Sequence, residues 1–240
     1  MKITALLPMK GHSERVPNKN MRLFAGKPLY HCVARILQNS DHIKTIIINT
    51  DTPVIADDAT KHFSKVKIHK RPKSIQGDMV PMNDIIAYDL ERVEGEHFLQ
   101  THSTNPLMTK DTLEQAVRSY FLSLPEYDSM FSVTKWQTRL YWGSGKPVNH
   151  DPKELLRTQD LSPLYEENSN MYFFSKKSFK TAGGFRIGNK PKMFVMDKTE
   201  AIDIDEEADF IIAESLYIVK NKQQQNILNV DKRVYNGSQE

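Results

Sequence analysis

One cysteine, Cys32, is all the thiol this 240-residue chain holds. No intrachain disulfide can form, and a reducing compartment, the cytoplasm, is expected. Charge of neither sign is in excess. Lys and Arg number 33 against 30 Asp and Glu, a formal net charge of +3, which argues against a nucleic-acid partner. Long apolar runs are also missing: none approaches the roughly 20 residues of a membrane helix. Ile3 to Leu7 is too short for the core of a signal sequence, and Pro8 ends it, so a soluble chain without membrane insertion is expected. The patterns GxxxxGK[ST] and GxGxxG are absent, which disfavours the two commonest nucleotide-binding loops. Neither HExxH nor a GxSxG elbow occurs, and the 8 histidines are scattered, so neither a zinc site nor covalent nucleophilic catalysis has a candidate.

What is present suits one globular domain: 39% hydrophobic and 26% charged residues on a chain long enough for a substantial core. Short apolar runs alternate with helical patterns, the order that builds a mostly parallel sheet covered by helices. Strands are expected at Ile3 to Pro8, Lys44 to Asn49, Val66 to His69, His97 to Gln100, Met130 to Thr134, Asn170 to Phe174 and Met193 to Val195. Helices are expected from Leu29 to Asn39, from Thr52 toward Phe63, between Asp78 and Glu94, from Lys110 to Leu122 and from Glu206 to Ile218. The fold class is therefore α/β, three layers with a mostly parallel sheet. From about 136 to 186 the rhythm gives way to prolines, aromatics and polar clusters, which predicts an inserted lobe that mediates subunit contact. The polar tail from Asn221 is expected to fray.

The most informative segment is the loop Pro8-Met9-Lys10-Gly11-His12-Ser13-Glu14-Arg15-Val16-Pro17-Asn18-Lys19-Asn20, between the first strand and the first helix. In an open α/β sheet the ligand crevice lies beyond the carboxyl ends of the strands, where this loop sits. Gly11 permits close backbone approach to an anion, Ser13 offers a hydroxyl, and Lys10, Arg15 and Lys19 are cationic donors for a polyphosphate. A solvated loop that binds nothing is the competing reading.

At the other end stands Asp203-Ile204-Asp205-Glu206-Glu207. Alternation in an extended segment turns Asp203 and Asp205 to one side while Ile202 and Ile204 enter the core. Two carboxylates on one face suit Mg²⁺, a hard cation that takes oxygen ligands and bridges carboxylates to phosphates. The alternative is that Asp205 caps the last helix and Glu206, Glu207 and Asp209 complement its dipole. That accounts for the last three but poorly for Asp203.

These residues carry a resemblance. The N-terminal loop is similar to the P-A-R-x-G-S-K-x-x-P-x-K-N signature of the acylneuraminate cytidylyltransferases. Pro8, Ser13, Pro17, Lys19 and Asn20 are kept, with Lys10 where Arg is usual and Glu14 where Lys is usual; Arg15 can supply the missing charge. Arg71-Pro72 followed by Asp78 resembles the family's R-P…D segment, and Leu99 to Leu107 its L-Q-P-T-S-P-L block, altered by insertion. Arg157-Thr158-Gln159-Asp160 and Asn168-Ser169-Asn170-Met171-Tyr172 resemble its R-x-Q-D…N-G-A-I-Y passage, and Ile202 to Asp205 its I-D-I-D metal motif.

The resemblance implies a nucleotidyltransferase that moves CMP from CTP to a sialic-acid-like 2-keto sugar acid and releases pyrophosphate. Implied nucleotide-binding residues are Lys10, Gly11, Ser13, Arg15, Lys19, Asn20, Arg71 and Asp78. Implied acceptor residues are Gln100, Thr101, Ser103, Arg139, Arg157, Gln159 and Asn168, with an ion pair as the competing use of Arg157. Asp203 and Asp205 are implied Mg²⁺ ligands, and a homodimer or higher homo-oligomer is implied. The departures at Lys10, Glu14, His102 and Ser169 leave open a different sugar, sugar phosphate or phosphonate acceptor. A non-catalytic nucleotide-sugar binding protein is the more distant alternative.

Overall fold

The structure, a computed structural model, describes residues 1–236, with side chains through Gln223. In chain order the elements are β1 (Ile3–Leu6), β2 (Leu23–Phe24), β3 (Lys27–Pro28), α1 (His31–Asn39), β4 (Ile43–Thr50), α2 (Pro53–His62), β5 (Val66–Lys70), α3 (Met82–Arg92), β6 (His97–Thr101), α4 (Lys110–Ser123), β7 (Ser129–Trp136), β8 (Leu164–Ser175), α5 (Lys176–Thr181), β9 (Pro191–Met196) and α6 (Glu207–Asn236). Local chemistry sets several boundaries. The Thr52 hydroxyl accepts the Val54 N–H and Pro53 fills the first turn of α2, while Thr109 caps α4 by accepting from Thr112.

Seven strands form one sheet in the order β5-β4-β1-β6-β8-β7-β9. β5, β4, β1 and β6 run parallel; β8 runs antiparallel to both its neighbours, and β9 is parallel to β7. Side-chain alternation fills both faces. Ile46 and Ile48 of β4 join one core with Val33 and Leu37 of α1, Ile55 of α2 and Val117 of α4. Ile47 points the other way, into a second core with Ile86 and Leu90 of α3 and Phe179 of α5. This is the expected three-layer α/β architecture. A third cluster joins Val16, Phe24, Leu29, Leu107, Ile204, Phe210 and Ala213. It packs α6 against the N-terminal loop.

Two expectations change. The stretch 136–186 contributes β8 to the middle of the main sheet, so only about 137–163 departs from it, with Trp142 61% and Leu155 90% exposed. Secondly, the polar residues from Asn221 are part of α6, which extends beyond the expected end at Ile218 to Asn236; residues 237–240 lie outside the described residues.

Candidate active site

A cleft of about 480 Å³ opens at the carboxyl ends of β1 and β6, between the N-terminal loop and the segment that leads into α6. Lys10, Ser13, Arg15, Lys19, Asn20, Asp78, Ser103, Asp203 and Asp205 line it, together with Glu14, His102, Thr104 and Ser169. Cations from one end of the chain and carboxylates from the other thus share one space. Buried Val16 and Ile204, both in the third core cluster, bring them there. The Ile204 N–H also donates to Thr104 O at 2.9 Å, which ties the acidic segment to the loop after β6.

The charges are already matched across the cleft. Arg15 Nη2 lies 2.7 Å from Asp205 Oδ1, and Lys10 pairs with Asp78 at the rim. Lys19 Nζ donates to Ile204 O at 2.6 Å and stands 3.8 Å from Asp205 Oδ1. Burial lowers the Lys19 pKa, against the pull of Asp205 and Asp203. Asp203 is the least satisfied member: its Oδ1 is buried with no hydrogen-bond partner among the described residues. Burial raises its pKa, opposed by a hydrogen bond from Thr104 and reinforced by Asp205.

Asp209 has a larger part than dipole complement. Its Oδ2 accepts the N–H groups of Asp205 and Glu206 at 3.0 and 2.8 Å, capping α6 from within. The Asp205 carboxylate is therefore free to face the cleft, while Glu207 pairs with Arg22.

Asn20 and Ser103 act as braces. Asn20 donates to Lys10 O at 2.9 Å, and Ser103 Oγ donates to Asn20 Oδ1 at 2.6 Å, which fixes the loop to the end of β6. Gly11 lies apart from this cleft. Its N–H donates to Asp51 Oδ1 at 2.7 Å, and a Cβ there would sit 3.0 Å from Thr52 Cβ and Cγ2, so its missing side chain serves packing against Thr52. Arg71 turns inward: Nη2 donates to Asn49 O and Nε to Asn49 Oδ1, both at 2.8 Å.

Behind the cleft wall of His102 and Ser169 lies a polar group that the sequence reading only partly found. Gln100 is fully buried; its amide donates to Thr101 O at 2.9 Å and approaches His102 Nε2 at 3.1 Å, and its carbonyl accepts from Arg186. Burial and the nearby Arg186 and Lys19 push the His102 pKa down to about 4, so the ring is neutral at ordinary pH. Ser169 holds φ +57°, the left-handed region that favours glycine, which accounts for the glycine usual at that point of the family pattern. It sits in a bulge where Ser132 alone faces residues 168–171 of β8. Arg186 went unnoticed because a lone arginine in a loop gives no pattern.

The remaining acceptor candidates lie away from this wall. Thr101 Oγ1 donates to Asn170 O at 2.7 Å, and Asn168 bonds Ser132 and Thr134 inside the sheet. Arg139 donates to Leu156 O, Arg157 pairs with Asp160 at 2.6 Å, and Gln159 is exposed; all three belong to the 137–163 excursion. Among the described residues one further grouping, His31, Asp58 and His62, brings possible ligand atoms within 4.8 Å. Several of its polar atoms are engaged with one another: His31 Nε2 and the Tyr30 hydroxyl bond Asp58 Oδ2, and His62 Nδ1 bonds Asp58 O at 2.8 Å.

Comparison with known proteins gives the family and the fold. A pseudaminic acid cytidylyltransferase of Campylobacter jejuni is 26% identical over 233 residues, which cover 92% of this chain and 99% of that protein. The N-acylneuraminate cytidylyltransferase A of Danio rerio is 30% identical over 220 residues, 88% of this chain; the match spans 50% of that longer protein. Among solved structures, a CMP:2-keto-3-deoxy-manno-octonic acid synthetase complexed with CTP superposes with a TM-score of 0.67 at 10% identity, covering 92% of this chain and 100% of that one, which speaks to the fold. Among the described residues, no helix is long and apolar enough to cross a membrane. The sequence model of the family described as Cytidylyltransferase matches residues 4–234, and this chain belongs to that family.

Proposed function

We propose that the protein transfers CMP from CTP to a nonulosonic, sialic-acid-like 2-keto sugar acid and releases pyrophosphate. The observation that carries this reading is the single cleft in which Lys10, Arg15 and Lys19 meet Asp203 and Asp205. Relatives named for pseudaminic acid, N,N'-diacetyllegionaminic acid and N-acylneuraminate give the acceptor class.

In the reaction the acceptor's anomeric oxygen bonds to the α-phosphorus and loses its proton, while the bond from that phosphorus to the β-phosphate oxygen breaks. The work of the site is positioning and charge neutralisation, because the attacking and leaving oxygens must lie in line and negative charge grows on the departing pyrophosphate. Lys10, Arg15 and Lys19 hold the triphosphate, exchanging their present carboxylate partners for phosphate oxygens. Ser13 adds a hydroxyl donor, and the Asn20–Ser103 brace keeps the loop in place.

Mg²⁺ fits the acidic side, since Asp203 offers a buried oxygen without a partner and Asp205 shares its cleft. Bound there by Asp203 and Asp205, it would neutralise phosphate charge and acidify the attacking hydroxyl. The same reading includes a homodimer, in which the exposed Tyr141, Trp142 and Leu155 of the excursion meet a second copy, and a cytoplasmic location, supported by the lone Cys32. Light scattering of Trp142→Glu tests the dimer; an unchanged mass for a dimeric parent removes that contact.

The test of function is pyrophosphate release from CTP with each of the three acids. Asp205→Asn is expected to abolish Mg²⁺-dependent release with an unchanged circular dichroism spectrum. Lys19→Ala is expected to weaken CTP binding more than acceptor binding. Undiminished turnover of Asp205→Asn removes the metal assignment, and a parent inert toward all three acids removes the function.

A further inference from the structure

An acid acceptor brings a carboxylate into the cleft, and the loop cations are committed to the triphosphate. A cation outside that loop would suit it, since charge-assisted hydrogen bonds are the strong ones. Arg139 and Arg157 bond within the excursion, to Leu156 O and Asp160. Arg186 is placed differently. Its side chain is only 18% exposed, and its guanidinium carbon stacks 3.6 Å above the Tyr172 ring centroid. Nη1 donates to the carbonyl of Gln100, whose amide approaches His102 at the cleft wall. Tyr172 Oη stands 3.3 Å from Ser169 Oγ, also at that wall.

An arginine has five N–H donors; those of Arg186 meet the Gln100 carbonyl and the Tyr172 hydroxyl, which leaves donors over. The one carboxylate nearby, Glu167, is held by the Tyr172 hydroxyl and stops 3.9 Å from Nη2, beyond hydrogen-bond reach. Such a guanidinium, stacked, shielded from water and short of acceptors, suits forked pairing with a planar carboxylate. Its loop is also anchored. Asp128 accepts the N–H groups of Asn189 and Lys190 at 2.9 and 3.0 Å, and a Cβ on Gly188 would come 2.2 Å from Asp128 Oδ1, so only glycine fits there.

We propose that Arg186, oriented by Gln100 and Tyr172, binds the carboxylate of the sugar-acid acceptor and is the residue that selects an acid over its neutral analogue. The inference rests on the acceptor class proposed above. It adds a specificity-determining residue, on the loop before β9, that the family pattern in this sequence did not mark.

The experiment compares kcat/KM for the acid that the parent turns over fastest, among N-acetylneuraminic, pseudaminic and legionaminic acids, with that acid's methyl ester. The parent is expected to prefer the acid strongly. In Arg186→Met the acceptor KM for the acid rises roughly 10- to 100-fold, the range for losing hydrogen bonds to a charged group, while the KM for CTP holds and the acid-to-ester preference collapses toward one. Arg186→Lys keeps charge without the fork and is expected to fall between; it carries the test if the Met variant does not fold. Equal losses for acid and ester, or a preference that survives in both variants, overturn the inference while the parent's turnover leaves the function standing. A parent inert toward all three acids removes both.

Discussion

The two ends of the chain and the 137–163 excursion treat their charged residues in opposite ways. At the ends, Ile204 stands between Asp203 and Asp205 and Val16 lies three residues before Lys19, both sunk in one cluster, so burial directs where each charge points. In the excursion, Arg139, Arg157 and Gln159 neighbour exposed side chains such as Leu155 and bond only to one another's surroundings. A polar residue's position is fixed by the buried residues beside it, and the excursion, where Leu161 is buried but Trp142 and Leu155 are exposed, has few of them, so its polar groups pair locally.

The strongest challenge to this contrast is Asp203→Asn. Pyrophosphate release is expected to fall roughly 10³-fold, about 4 kcal/mol, the upper range for removing one charge-stabilising group. The melting temperature should rise or hold. Burial raises the folded pKa of Asp203 above its unfolded value, so its charged form costs stability as pH climbs through the unfolded pKa, and asparagine removes that cost. A lower melting temperature would show that the carboxylate stabilises the fold.

Next comes Ile204→Ala, a fully buried residue in the third cluster, expected to lose about 2–5 kcal/mol in urea unfolding and to weaken CTP binding together with stability. Leu155→Ala in the excursion is expected to change stability by under about 0.5 kcal/mol. Comparable losses at the two positions would erase the distinction drawn here.

His102 sharpens it by pH. With a folded pKa of about 4 against roughly 6.5 unfolded, the unfolded chain binds the extra proton first, so stability is whole above about pH 6.5 and declines toward pH 4, by no more than about 3 kcal/mol. His102→Gln should flatten that part of the curve; an unchanged slope would assign the loss to other groups. Smallest is Arg157→Ala, whose exposed pair with Asp160 is expected to contribute under about 0.5 kcal/mol, read by the same unfolding.

Much of the fold was legible because its cause is local. Continuous apolar runs such as Ile46 to Ile48 announce buried strands, and Thr52-Pro53 announces a helix start. The place of β8 was not, since its partners β6 and β7 lie far off in sequence and its bulge at 168–171 breaks the alternation. Of the site, the loop cations and the carboxylate pair were readable from spacing. At Gly11 the sequence alone does not separate two uses of a glycine, since close packing against Thr52 and close approach to a phosphate look alike in it. Arg186 stayed hidden because its placement depends on Gly188 meeting Asp128, sixty residues upstream.

The pairs Lys10–Asp78 and Arg15–Asp205 tie two of the cleft's cations to carboxylates. An anion that takes up either cation must displace that cation's carboxylate, so binding there is an exchange of partners and not simply a gain of bonds.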